Sequence, residues 1–176
     1  MPKEKIEWVV RPTTTNDACE IDALLKKCYE TLLPKDYDAD LLTRSLPLLT
    51  KARPELLTCG TWYLVEDPES GAIVGCGGWS HSPTDKTHRL PHLRHFATHP
   101  NFLRKGIAKA LWNRIRDSIV SEMGPDTDLE VYSTFTAEPF YTSLGFEPVE
   151  TVYLPIHPDF TFPSKLMRRA GQSLKS

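Results

Sequence analysis

The chain has 176 residues, with 23 acidic against 21 basic side chains and a net charge of −2. That length suits one domain with a substantial core, and the missing basic excess argues against a nucleic-acid partner. Apolar residues at 40% and charged residues at 25% are ordinary for a globular protein, and no apolar run is long enough for a membrane span or a signal peptide. Cys19, Cys28, Cys59 and Cys76 are widely spaced with no C-x-x-C pair, the usage expected of reduced thiols in a cytoplasmic protein.

In chain order, Ile6 to Arg11 reads as a first strand that Pro12 stops. Residues 13–17 supply N-cap side chains, and Ile21, Leu24, Leu25 and Cys28 mark one helical face up to about Thr31. Asp38 to Thr50 is a second helical stretch, broken near Pro47, whose leucines either pack or cover a cleft. Thr61–Glu66 and Ala72–Ser80 are strands joined by the turn cluster Asp67–Gly71, and His81 to Lys86 is a polar loop. Trp79 ends the second of these strands, where an indole could stack on a substrate or pack in the core. Leu129, Val131 and Ser133 alternate with Glu130 and Tyr132 as a further strand. Thr136 can cap a short helix that tolerates Pro139 in its first turn and closes at Gly145. Phe146–Tyr153 and Lys165–Arg169 are the last strands, with residues 1–5 and 170–176 as tails of the single domain. Strands and helices mixed in this order make an α/β domain.

The middle of the chain organises the rest. Leu90 to Thr98 is extended in character, and Pro91 and Pro100 argue against a helix there. From Gly106 the period changes: Ala108, Leu111, Trp112, Ile115 and Ile119 recur at helical steps until Gly124-Pro125. A strand entering a helix through Arg104-Lys105-Gly106 offers free backbone N–H groups, a positive dipole end and two cations to a phosphate, although solvated charges on a plain turn would read the same. No G-x-x-x-x-G-K-[ST] loop is present, and Gly75-Cys76-Gly77-Gly78 lies within a strand.

Leu103-Arg104-Lys105-Gly106-Ile107-Ala108 resembles the Q/R-x-x-G-x-G/A signature of the GCN5-related N-acetyltransferases, the GNAT superfamily. Ala97-Thr98-His99-Pro100 is similar to that family's strand end, and Ala137 to Phe146 to its A-x-x-x-Y-x-x-x-G-F segment. The resemblance covers roughly Trp8 to Arg168 and implies a mixed, largely antiparallel twisted sheet flanked by helices, with acetyl-CoA as cosubstrate and no metal. It implies that backbone groups of Phe96, Ala97 and Thr98 bind the pantetheine arm, with the Thr98 N–H polarising the thioester carbonyl. It further implies that the N–H groups of Arg104, Lys105, Gly106, Ile107 and Ala108 hold the pyrophosphate. Two residues depart from the pattern: Leu103 stands where Gln or Arg is usual, and Thr134 where an Asn often contacts the cofactor. The region of residues 38–50 commonly helps build the acceptor site, and Trp79 lies close to where that pocket opens.

Acetyl transfer to an amine needs a held thioester, a deprotonated amine, an oxyanion stabiliser and a proton for the leaving thiolate. An alkyl amine titrates near about 10.4, so recovering its neutral form at pH 7 costs about 4 to 5 kcal/mol. By the resemblance, Tyr141 donates the proton to the thiolate and His92 takes one from the amine. Simple alternation puts His92, Arg94, Phe96 and Thr98 on one face and Leu93, His95 and Ala97 on the other. His88, His92, His95 and His99 have ligand-like spacings, but a strand splits them between faces, so no metal is expected. The expected function is acetyl transfer to a primary amine of a small molecule by direct attack in a ternary complex. The alternatives are a peptide or protein amine, and a non-catalytic acyl-CoA sensor. No membrane or nucleic-acid partner is expected, and a homodimer is compatible with the sequence.

Overall fold

β2 (Trp62–Glu66) and β3 (Ile73–His81) form the hairpin from which the sheet extends, closed by Asp67 N–H donating to the Ala72 carbonyl and Gly71 N–H to the Asp67 carbonyl. The computed structural model describes residues 6–81 and 90–171. Among these, β1 (Val9–Pro12), β4 (Pro91–Thr98), β5 (Leu129–Ser133), β6 (Glu147–His157) and β7 (Phe160–Arg169) complete a seven-stranded sheet ordered β1-β2-β3-β4-β5-β7-β6. Every neighbouring pair is antiparallel except β4–β5, which is parallel. The helices are α1 (Ala18–Leu32), α2 (Ala39–Leu49), α3 (Pro54–Leu57), α4 (Ile107–Met123) and α5 (Glu138–Ser143).

Both faces of the central strands are covered, so β2 is buried and largely apolar from Trp62 to Val65. Trp62 and Leu64 point to α1, where they meet Ile21, Leu24, Leu25 and Cys28. Tyr63 and Val65 point to α4, whose stripe Ile107, Leu111, Ile115 and Ile119 packs with Val74, Leu93 and Val131. Each of these aliphatic side chains contributes about 1.5–3 kcal/mol over exposure. α4 can settle this close only because position 75 is glycine: a Cβ there would lie 2.6 Å from Ile107 Cγ2. The GNAT-type α/β architecture expected from the resemblance is the one observed.

Several boundaries differ from the sequence reading for physical reasons. Pro12 lies inside β1, an edge strand paired on one side only, where a missing donor is tolerated. Pro47 does not break α2, which runs on to Leu49, and Thr50 closes it by donating both its N–H and its hydroxyl to the Leu46 carbonyl. β6 and β7 are much longer than expected. Pro155 sits on the outer edge strand, and Pro163 lies in the part of β7 that extends beyond its pairing with β5, so neither interrupts a ladder on both sides. The helix cap expected at Thr136 belongs to Thr134, whose hydroxyl accepts from Ala137 N–H at 3.1 Å. The terminal residues 1–5 and 172–176 and most of the polar loop after His81 lie outside the described residues.

Candidate active site

The parallel pair at the centre of the sheet is short. β4 and β5 are joined at His92–Glu130 and Leu93–Val131 and then part, leaving an opening in the sheet along the rest of β4. A bulge bends β4 at this point: Gly78 pairs with Arg94 and Cys76 with Ala97, so His95 and Phe96 together stand opposite Gly77, with His95 at φ 41°. The extra residue reverses the alternation expected from sequence. Leu93 and Phe96 now share the α4 side, while His95, in contact with Trp62, and Ala97 face the α1 side. Beyond the bulge, His99 N–H donates to the Val74 carbonyl at 2.8 Å, so in antiparallel alternation the Thr98 N–H is turned away from β3 and towards the opening. The Thr98 carbonyl accepts from the Cys28 thiol at 3.1 Å, and burial pushes that thiol up to about 12.

From Thr98 the chain passes through the turn Pro100–Phe102 to the loop before α4. Arg104 (φ 61°) and Gly106 (φ 87°) are both left-handed, a conformation open to glycine and costing other residues about 1–2 kcal/mol. Trp8 stabilises this bend from the far end of the chain: its Nε1–H donates to the Lys105 carbonyl at 2.8 Å and its ring meets Phe102 edge-on. The first turn of α4 therefore presents unpaired N–H groups and its positive dipole end to a cavity of about 530 Å³. Arg104, Gly106, Ile107, Ala108, Lys109 and Arg116 line this cavity, which sets three cationic side chains beside backbone donors, chemistry suited to an anion.

A second cavity of about 350 Å³ occupies the opening between β4 and β5. The two share Thr98, Leu103, Ala108 and Phe140 as lining residues, so they form one path across the sheet. Tyr141 lines the second cavity, only 4% exposed and packed edge-on against Phe96, Phe140 and Phe146. Burial raises its phenol above the ordinary value, so it stays protonated, and no described residue hydrogen-bonds its hydroxyl.

His92 lines the same cavity at 1% exposure. Its Nδ1 lies 3.2 Å from Glu130 Oε1; a carboxylate only accepts, so Nδ1 carries the proton and Nε2 keeps a lone pair. Burial and the charge of Arg94 lower the His92 pKa by more than Glu130 raises it, and the ring is neutral at pH 7. Its neighbour His95 is pushed down to about 4, chiefly by burial and then by Arg53 and Arg94.

Of the other expected site residues, Phe96, Ala97, Thr98, Leu103, Ala108 and Thr134 line the second cavity, Thr134 with its hydroxyl committed to capping. Lys105 lines neither cavity; its ammonium lies over the Phe102 ring at 4.7 Å. Trp79 also lines neither. It is 1% exposed in the α4 core, with Nε1–H donating to Ser118 Oγ at 3.1 Å, so it packs and does not meet a substrate. Sequence reasoning missed Glu130 and Trp8. Glu130 has one signal, the β4–β5 register that sets it opposite His92; Trp8 has none short of the tertiary fold. His88 lies outside the described residues, and among those described no three His, Cys, Asp or Glu side chains cluster as a metal site. No described helix is long and apolar enough to cross a membrane.

A family model described as "Acetyltransferase (GNAT) domain" matches residues 58–154. No curated protein matches the chain. Among solved structures, the chain is similar to a GCN5-related N-acetyltransferase from Rhodopseudomonas palustris, at 15% identity and a TM-score of 0.74, over 97% of this chain and 99% of that one. It is also similar to the PaiA N-acetyltransferase of Thermoplasma acidophilum in complex with coenzyme A, at 11% identity and a TM-score of 0.70, over 94% and 99%. A chimera of the spermidine N-acetyltransferase SpeG from Vibrio cholerae and hSSAT matches at 15% identity and a TM-score of 0.62, over 97% and 99%.

Proposed function

Because this chain belongs to the GNAT acetyltransferase family, we propose that it is an acetyl-CoA-dependent N-acetyltransferase acting on a primary amine of a small molecule by direct attack in a ternary complex. The observation that carries this reading is the joined pair of cavities. The larger ends on the α4 N-terminus and the smaller holds Tyr141 and His92, so a thioester donor and an amine can meet at their shared wall.

In this reading the pyrophosphate of acetyl-CoA sits on the N–H groups of Arg104 to Ala108, beside Arg104, Lys109 and Arg116. The pantetheine arm runs along the free edge of β4 as an added strand would, and the Thr98 N–H stabilises negative charge developing on the thioester oxygen. The amine nitrogen attacks the carbonyl carbon, the new C–N bond forms and the C–S bond breaks. His92 Nε2, its tautomer held by Glu130, takes the proton the amine releases, directly or through water. Tyr141 gives its hydroxyl proton to the thiolate and regains one from solvent. Acceptors screened with acetyl-CoA for thiol release test this. Turnover is expected, and Tyr141→Phe should lower kcat by about 10²–10⁴ while leaving acetyl-CoA affinity unchanged. Wild-type kcat in that variant would remove Tyr141 from the mechanism, and tight acetyl-CoA binding without turnover of any amine would favour a sensor.

A further inference from the structure

Among the described residues, the second cavity is lined by two arginines and by no Asp or Glu. Arg94, half-buried on β4, donates Nε–H to Ser80 Oγ at 2.9 Å, and Arg53, the residue before α3, lines the same cavity. Among the described residues neither guanidinium forms an ion pair, and no Asp or Glu lines the cavity. The nearest buried carboxylate, Glu130, is engaged by His92 at 3.2 Å and by Arg168 at 3.8 Å. Both guanidinium-bearing residues line this one cavity; burial and then Arg53 lower the Arg94 pKa, against smaller opposing effects of Tyr132, Glu130 and Glu55. Both neighbouring histidines are held neutral and add no positive charge, while Glu130 and Glu55 offset the charge of Arg94 only in part. Such an arrangement repels a second cation and is relieved by an anion that accepts from both forks. Leu49, Leu154, Ile156 and Phe162 supply apolar lining to the same cavity.

We propose that the acceptor is an amino acid with an apolar body, its carboxylate held between Arg53 and Arg94 and its hydrocarbon part against Leu49, Leu154, Ile156 and Phe162. This rests on the acetyltransferase reading and names its substrate class. A carboxylate fits the planar guanidinium forks, and the same positive field favours the neutral, nucleophilic form of the amine. A polyamine or an internal lysine of a peptide brings only further positive charge to this wall.

The test compares leucine, phenylalanine and 6-aminohexanoate with their carboxamides, alongside spermidine and taurine, as acceptors of acetyl-CoA. At least one free acid is expected to exceed its amide in kcat/KM by about a hundredfold. Arg94→Gln and Arg53→Gln should each lower that kcat/KM at least tenfold, mainly through KM, with acetyl-CoA affinity kept. In parallel, calorimetry measures N-acetyl-leucine, N-acetyl-phenylalanine and 6-acetamidohexanoate against their amides on the coenzyme A-loaded protein, a readout independent of turnover. At least one acid should bind ten times tighter than its amide, and Arg94→Gln should erase the difference. Equal binding of acid and amide, no binding of either, or preferred turnover of spermidine or the amides would overturn the proposal. Preference for taurine would replace the carboxylate by a sulfonate and overturn it as stated. Failure to bind acetyl-CoA would instead remove the acetyltransferase reading itself.

Discussion

In the proposed mechanism Tyr141 and His92 move protons in opposite directions, and their surroundings suit each to that task. Burial among Phe96, Phe140 and Phe146 keeps the Tyr141 phenol protonated, the state a proton donor needs. His92 is neutral for a different reason: burial and Arg94 destabilise its cation, while Glu130 partly restores it. Glu130→Gln removes the anion that favours imidazolium, so the His92 pKa falls further and the acid limb of kcat/KM moves to lower pH. An acid limb moved upward, or unchanged in a folded Glu130→Gln enzyme, would contradict this positioning role for Glu130. Glu130 was hidden in the sequence because alternation in β5 marks which residues share a face, not what covers that face. At 3% exposure it is enclosed by elements far away in the chain. Trp79 illustrates the converse: its position suggested the pocket mouth, but its ring turns to Ser118 on α4.

At the scale of elements, the site depends on where α4 begins. Gly75 on β3 lets Ile107 approach, and Ile107 is the first residue after the loop that carries Arg104 to Gly106. Gly75→Ala should cost about 1–3 kcal/mol by overpacking. It should also weaken acetyl-CoA binding, since the helix start must shift; unchanged melting and affinity would show that α4 is not seated this way. α1 and α4 were readable from their periodicity, because each buries one stripe against a sheet face and the pattern is local. The bulge at His95–Phe96 was not. It adds one residue without a composition signal and turns Phe96 and Ala97 to faces opposite those that alternation assigns. The long β6–β7 pair was under-read for another reason: Pro155 and Pro163 argue against strands in general, and only the sheet order shows that each lies where a donor is dispensable.

For the whole molecule, the neutral histidines couple the site to stability. His95 has a folded pKa of about 4 against an unfolded value near 6.5, and His92 is shifted in the same direction. Above about pH 6.5 both rings are neutral in either state and contribute no slope. As pH falls from about 6.5 towards 4 the unfolded chain binds protons that the folded chain does not, so stability declines across this window. Denaturant melts between pH 8 and 4 should show a plateau followed by this loss, and stability that rises on acidification would contradict the burial of these groups. The family signature, the sheet and the α4 N-terminus together point to the cavity at the start of α4 as the proposed acetyl-CoA site. Calorimetric titration of the protein with acetyl-CoA tests it most directly: one saturable site per chain, weakened when Trp8→Phe releases the Lys105 carbonyl, is the result expected. Absence of any binding heat and of any competition by coenzyme A would contradict it.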